Sequence, residues 1–161
     1  MKMFERLQAK KKDNKGFSLV ELIIVIAIMA ILVGVVGTQV VPYLNKSKVA
    51  KDQQLLSAYA TAAVSAYSYV ADKITSTGVL EFDYYTEADS SLSPEEKAIR
   101  DEMKTLISYA NWSQLEEKMS SADGKSGTDL HIKLSQSGHT VTVSIKNHTA
   151  TPKVPDAEAT L

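Results

Sequence analysis

The rhythm of hydrophobic and polar positions changes several times along the 161 residues. From Leu22 to Val41 no residue is charged, and Ile, Val and Leu dominate, interrupted by Ala27, Ala30, Gly34 and Gly37. Twenty such residues make about 30 Å of helix, the thickness of a hydrocarbon core. Pro42 removes a helical hydrogen bond to residue 38 and crowds its carbonyl, so Gly34 to Pro42 is expected to be a weak stretch of helix. Beyond Lys46, Lys48 and Lys51 the period stays helical but becomes one-sided. Leu55, Tyr59, Ala62, Ala63, Ala66, Val70 and Ile74 follow three- and four-residue steps, the mark of an amphipathic helix. One helix is therefore expected from about Phe17 to Ile74, about 87 Å long if unbroken. Thr75-Ser76-Thr77-Gly78 then supplies a glycine suited to a helix C-terminal cap.

The remainder reads as a small mixed domain. Val79 to Tyr85 alternates loosely, as a short strand does. Ser93-Pro94-Glu95-Glu96 combines a serine cap, a first-turn proline and a capping-box glutamate, and Ile99, Met103, Leu106 and Ile107 carry that helix to about Tyr109. Trp112, Leu115 and Met119 suggest another short helix. Asp123 to Thr128 is rich in turn formers. Leu130, Ile132 and Leu134, then Val141, Val143 and Ile145, alternate with polar residues. Gln136-Ser137-Gly138 between them can close a hairpin with glycine at positive φ. The tail from Asn147, with Pro152 and Pro155, is expected to be irregular surface chain.

The expected fold class is thus α+β: a long N-terminal helix, transmembrane in its first half and amphipathic in its second, packed on a small head with an antiparallel hairpin or sheet and one or two short helices. The expected divisions are a basic leader at 1–16, a membrane helix at 17–45, its amphipathic continuation at 46–74 and the head at 75–161.

Charge gives this arrangement a direction. Residues 1–16 hold six of the eighteen Lys and Arg (Lys2, Arg6, Lys10, Lys11, Lys12 and Lys15) but only two of the nineteen acids, Glu5 and Asp13, for a local +4. A positive flank stays cytoplasmic, which puts the chain from about Lys46 onward across the membrane. The remaining 145 residues carry twelve bases against seventeen acids, about −5. That balance argues against direct nucleic-acid binding, which calls for a basic surface. One charge stands out. Glu21 adjoins the apolar run, and an acid at the middle of a membrane helix costs roughly 2.5–3.5 kcal/mol, less near an edge. Its retention calls for a cationic partner, or for a plain interfacial position near a helix N-terminus, where negative charge is mildly favoured. An ordinary secretory signal places its small-residue cleavage site after the apolar core. Here no such site directly follows Val41, whereas Gly16 precedes the core.

Lys15-Gly16-Phe17-Ser18-Leu19-Val20-Glu21-Leu22, with the apolar run behind it, resembles the class III signal of type IV pilins and type II secretion pseudopilins. The resemblance covers about residues 1–50. It implies a pilin-like fold, cleavage between Gly16 and Phe17 by a prepilin peptidase, and methylation of the new Phe17 amine by the same enzyme class. It also implies assembly in which Glu21 pairs with the Phe17 amine of a neighbouring subunit. The function it implies is a structural prepilin of a type IV pilus-like surface filament. Alternatives are a pseudopilin of a type II secretion or competence DNA-uptake machine and, of another class, a minor adhesin or signal-anchored surface binding protein. The implied partners are the peptidase/methyltransferase, identical and related pilin subunits, a pilus or secretion assembly platform, and cytoplasmic-membrane lipid before assembly. The protein would be single-pass with its N-terminus in the cytoplasm, then part of an extracellular filament. The chain departs from the family pattern in two places. Thr38 stands where many members have proline, and a disulfide common near the C-terminus has no counterpart, because there is no cysteine.

Little else suggests chemistry. Gly124-Lys125-Ser126 echoes a phosphate loop, but Met119 replaces the first glycine and no apolar strand precedes it. His131, His139 and His148 read as solvated strand or loop positions. Tyr59, Tyr67 and Tyr69 read as packing residues rather than an aromatic conduction path. Some secretion pseudopilins hold calcium in the head, and Asp123 and Asp129, or Glu81, Asp83, Glu87 and Asp89, offer carboxylates. However, calcium wants six to eight oxygens and Lys125 stands inside the loop. Asn111-Trp112-Ser113 and Asn147-His148-Thr149 fit a glycosylation acceptor pattern that arises often by chance. No nucleophile–base pair is apparent. The expectation is no enzyme, no cofactor and no metal.

Overall fold

Residues 16–161 are described in the computed structural model, so the lysine-rich stretch at 1–15 lies outside the described residues. The chain divides into two compact units meeting at Val41–Pro42. Within the first, α1 (Leu19–Val35) buries none of its side chains. A π-helical turn, Val36–Val40, follows it. This is the weak stretch expected before Pro42. Helical bonding persists there in a wider register, and Thr38 Oγ1 donates back to the Gly34 and Val35 carbonyls, each at 3.2 Å.

The second unit begins with α2 (Val41–Tyr69). Its buried positions are Asp52, Leu56, Tyr59, Ala60, Ala62, Ala63 and Ala66. The inward stripe is therefore rotated slightly from expectation, with Leu56 in the core and Leu55 half-buried beside it. Small residues dominate this face, and Ala60, Ala63 and Ala66 share one core with the buried side chains of the sheet. The α-helix stops at Tyr69, earlier than the pattern suggested, and gives way to a 3₁₀ turn at Ala71–Lys73. Gly78 does not adopt positive φ and so is no left-handed cap. Instead, Glu95 secures this exit. One carboxylate oxygen accepts from the Thr75 and Ser76 amides at 2.7 and 3.0 Å, and both hydroxyls also bond the carboxylate.

Four antiparallel strands form one sheet in sequential order: β1 (Val79–Asp83), β2 (Asp129–Ser135), β3 (Thr140–Lys146) and β4 (Ala157–Thr160). The central hairpin pairs Leu130 with Ile145, Ile132 with Val143 and Leu134 with Val141. All six side chains are buried, as their alternation predicted. The left-handed residue at its turn is His139, φ 53°, and not Gly138. On β1, Leu80 and Phe82 face the core. Its Glu81 and Asp83 amides are taken by the carboxylates of Glu96 and Glu87, at 3.2 and 2.7 Å, which blunts the edge against pairing with another chain.

Helix α3 (Pro94–Leu106) starts at the predicted capping box, with Ser93 and Glu96 bonding each other's amides. Ile99 and Met103 are buried, whereas Leu106 is exposed. In α4 (Trp112–Lys118) Leu115 is buried and Trp112 half-buried, with Met119 buried just beyond. Two further expectations fail. The turn-rich stretch at 123–128 contains a five-residue helix, α5 (Ala122–Ser126), capped by Ser121. The tail is not merely irregular surface: it buries Val154 and ends as strand β4, with Ala157 in the core.

Candidate processing and assembly site

Gly16 and Phe17 precede α1 without regular structure, and Phe17 is 93 % exposed. The next four residues form one capping unit. Ser18 is extended, and its Oγ accepts from the Val20 amide at 3.3 Å. The Glu21 carboxylate reaches back to accept from the Ser18 amide at 2.8 Å. A helix leaves its first four N–H groups without intrahelical partners, so this reciprocal arrangement satisfies two of them. Ser18-Leu19-Val20-Glu21 is the same S-x-x-E signature as Ser93 to Glu96. The signature is legible in the sequence, beneath the more conspicuous charge and motif position of Glu21. In the unassembled chain the carboxylate is thus occupied, by its own backbone.

Behind this unit the helix surface offers only apolar contact. A window of the helical run Leu19–Tyr69 is long and apolar enough to cross a membrane, and none of that window is buried. Such a surface needs lipid or other apolar helices around it.

In the second unit, three buried aspartates make contacts that the hydrophobic pattern does not reveal. Asp52 of α2 accepts from the Ser120 and Ser121 amides at 2.7 and 2.8 Å, and from the Ser121 hydroxyl. It stands one turn before Leu56 on the core stripe, an acid at an apolar position, and that was the available signal. Asp123 accepts from the Val154 amide at 2.7 Å and meets His148 Nδ1 at 2.6 Å. Asp129 binds the Tyr85 and Thr86 amides at 2.9 and 2.7 Å. Asp123 and Asp129, two of the candidate calcium ligands, are therefore tethers between segments, and no group of three or more His, Asp or Glu suited to a metal occurs among the described residues. His148 is correspondingly half-buried rather than solvated, while His131 bonds Asp83 at 3.0 Å. Gly124 is required by this packing, since a Cβ there would lie 2.6 Å from Asp52 Oδ2.

Electrostatics follow the same contacts. Burial disfavours the charge on Asp83, but hydrogen bonds from Lys146 and His131 prevail and hold its carboxyl below the usual range. Lys146 is raised in return, by its hydrogen bond to Asp83. The hydroxyls and amides around Glu95 push its carboxyl down to about 2. Tyr59, Tyr84 and Tyr85 pack edge to face, with centroids 5.4 and 4.7 Å apart, and Tyr59 and Tyr85 share a hydroxyl–hydroxyl bond. Burial raises all three phenols, Tyr85 to about 12. Tyr69 by contrast is exposed and Tyr67 only half-buried, so α2 carries a packing cluster and no continuous aromatic row.

Residues 11–37 match the family model described as the prokaryotic N-terminal methylation motif, which supports a class III signal of the type IV pilin and pseudopilin kind. No curated protein and no solved structure gives a significant match to the chain. The long apolar N-terminal helix with a four-stranded antiparallel sheet and short helices is an α+β, pilin-like fold. Motif and fold together support a type IV pilin-like or pseudopilin precursor, suggest a structural protein, and are consistent with membrane anchoring and surface assembly.

Proposed function

We propose that this chain is a structural subunit of a type IV pilus-like surface filament. It is cleaved after Gly16, methylated on the Phe17 amine and polymerised through its N-terminal helix. The single observation carrying this reading is the methylation motif leading into a helix that buries nothing within its own chain. Before assembly, lipid covers that helix, with the leader in the cytoplasm and the head outside. Within the filament, sister helices replace lipid, and Glu21 exchanges the Ser18 amide for the Phe17 amine of a neighbour. Residues 75–161 then form the exposed head. The partners are a prepilin peptidase/methyltransferase, identical or related subunits, and an assembly platform. The alternative is a pseudopilin of a secretion or DNA-uptake machine, which would carry the same motif.

The test is mass analysis of filaments sheared from cells that carry the native peptidase. A dominant chain beginning at methylated Phe17 supports the proposal. A chain starting at Met1, or one retained wholly in the membrane fraction, refutes it.

A further inference from the structure

A pocket of about 460 Å³ opens in the head, in the size range of small-ligand sites. Tyr84, Tyr85, Arg100, Lys104, Tyr109 and Asp89 contribute to its lining. Arg100 is 2 % exposed, yet its guanidinium is incompletely paired. Nη1 donates to the Glu87 carbonyl at 2.6 Å and Nη2 to Asp89, while Nε has no partner. The buried Tyr84 hydroxyl is also unpartnered. A carboxylate normally takes the Nε–Nη edge of an arginine with both oxygens. Asp89 does not: one of its oxygens meets Nη2 alone, and the other bonds Lys97 at 3.0 Å. Asp89 is also more than half exposed, so it can leave at little cost. The Glu87 side chain does not compete, being engaged with the Asp83 amide.

We propose that this pocket binds a small polyhydroxylated carboxylic acid of the uronate class. The ligand carboxylate displaces Asp89 and takes Nε and Nη2 of Arg100 together, with Lys104 as a second positive charge. The hydroxyls of Tyr84 and Tyr109 supply partners for sugar hydroxyls, which a lone carboxylate would leave unused, whereas that of Tyr85 is already bonded to the Tyr59 hydroxyl and the Tyr109 carbonyl. This goes beyond filament assembly and does not depend on it, since every residue involved lies in the head.

Trp112, the single tryptophan, reports on the site because its ring sits 6.4 Å from that of Tyr85. The full chain in detergent micelles is titrated with sodium glucuronate, with glucose in parallel at matched ionic strength. Glucuronate should give a saturable change in Trp112 emission that glucose does not. Lys104→Gln should weaken binding about tenfold through loss of a charged hydrogen-bond donor. Asp89→Asn should tighten it, because the competing carboxylate is gone. Both positions are exposed, so circular dichroism should be unchanged. No saturable response, an equal response to glucose, or weaker binding by Asp89→Asn overturns the assignment.

Discussion

Glu21→Gln separates two jobs that one carboxylate holds in this structure. In the free chain Glu21 closes a capping box on Ser18, and glutamine at the same position can close it too. The variant therefore keeps its helix start, losing only the attraction of a charge to the helix N-terminus, about 0.3–1 kcal/mol. Membrane insertion should be unharmed or easier, since a charge has been removed from the edge of an apolar segment. In the proposed filament the balance differs. The Phe17 amine of the neighbour remains charged after methylation and enters an apolar bundle without a counter-charge. Breaking a buried pair in this way costs about 3–5 kcal/mol, or roughly two to three and a half decades in the equilibrium for each added subunit. The assay is subunit abundance in sheared filaments alongside that in membranes. Membrane levels should be normal and filaments absent. Ser18→Ala is the complementary control, losing the cap at about 0.5–2 kcal/mol but sparing the charge, so filaments should persist at reduced yield. Normal filaments from Glu21→Gln would refute the pairing and leave Glu21 as a cap alone.

Processing should fail in Gly16→Val, leaving the +4 leader attached; intact-mass measurement decides, and a mature Phe17 terminus in that variant contradicts the cleavage assignment. Gly124→Ala should destabilise the head by about 1–3 kcal/mol, because its methyl group must push Asp52 off the Ser121 amide; a thermal melt equal to wild type contradicts the close packing. Glu95 should make stability fall in acid. Its folded value of about 2 lies below the ordinary 4.5, so its contribution is complete above 4.5 and is lost as pH falls from there toward 2. Melting temperatures of wild type and Glu95→Gln should therefore converge across that window, and a constant gap would show that Glu95 does not stabilise as an anion.

What the sequence revealed depended on periodicity. The six alternating residues of the β2–β3 hairpin and the Ser93 capping box were legible because each follows a local rule that the tertiary structure does not override. Strand β4 was not, because Ala157-Glu158-Ala159-Thr160 has weak β-propensity and is held by pairing with β3. Helix α5 hid in residues that favour turns, since a single turn capped by Ser121 needs little intrinsic propensity. The helix runs shorter than its pattern because Val70, whose amide makes an α-helical bond to the Ala66 carbonyl, continues the buried stripe past the end at Tyr69. At the candidate site, the motif around Gly16, Phe17 and Glu21 stood out by residue type and order, but the intramolecular use of Glu21 required the geometry. The buried aspartates were hidden for a different reason. Their partners are backbone amides up to 69 positions away, and amides leave no trace in residue identity.

The turn at Val36–Val40 shows how a membrane helix can hold a weak point without exposing raw backbone. Pro42 has no N–H to offer, and the π register shifts carbonyl partners by one residue, so an α-helical acceptor in this region loses its donor. In a bilayer such an orphan costs several kcal/mol unless something replaces the missing donor. The carbonyl that Pro42 deprives lies at residue 38, and one turn earlier Thr38 adds a side-chain donor of its own, sharing its single O–H between the carbonyls of Gly34 and Val35. A proline at position 38 could not supply this donor and would remove another amide as well. In the proposed topology this turn lies at the outer end of the Leu22–Val41 span, where headgroups and water can also serve freed carbonyls. Loosening the helix there costs less than it would at the midplane. In the proposed filament, where sister helices replace lipid, Gly34 just before the turn and Gly37 within it allow close approach. The π register is thus confined to this turn, and Leu19–Val35 before it keeps a regular α-helical surface.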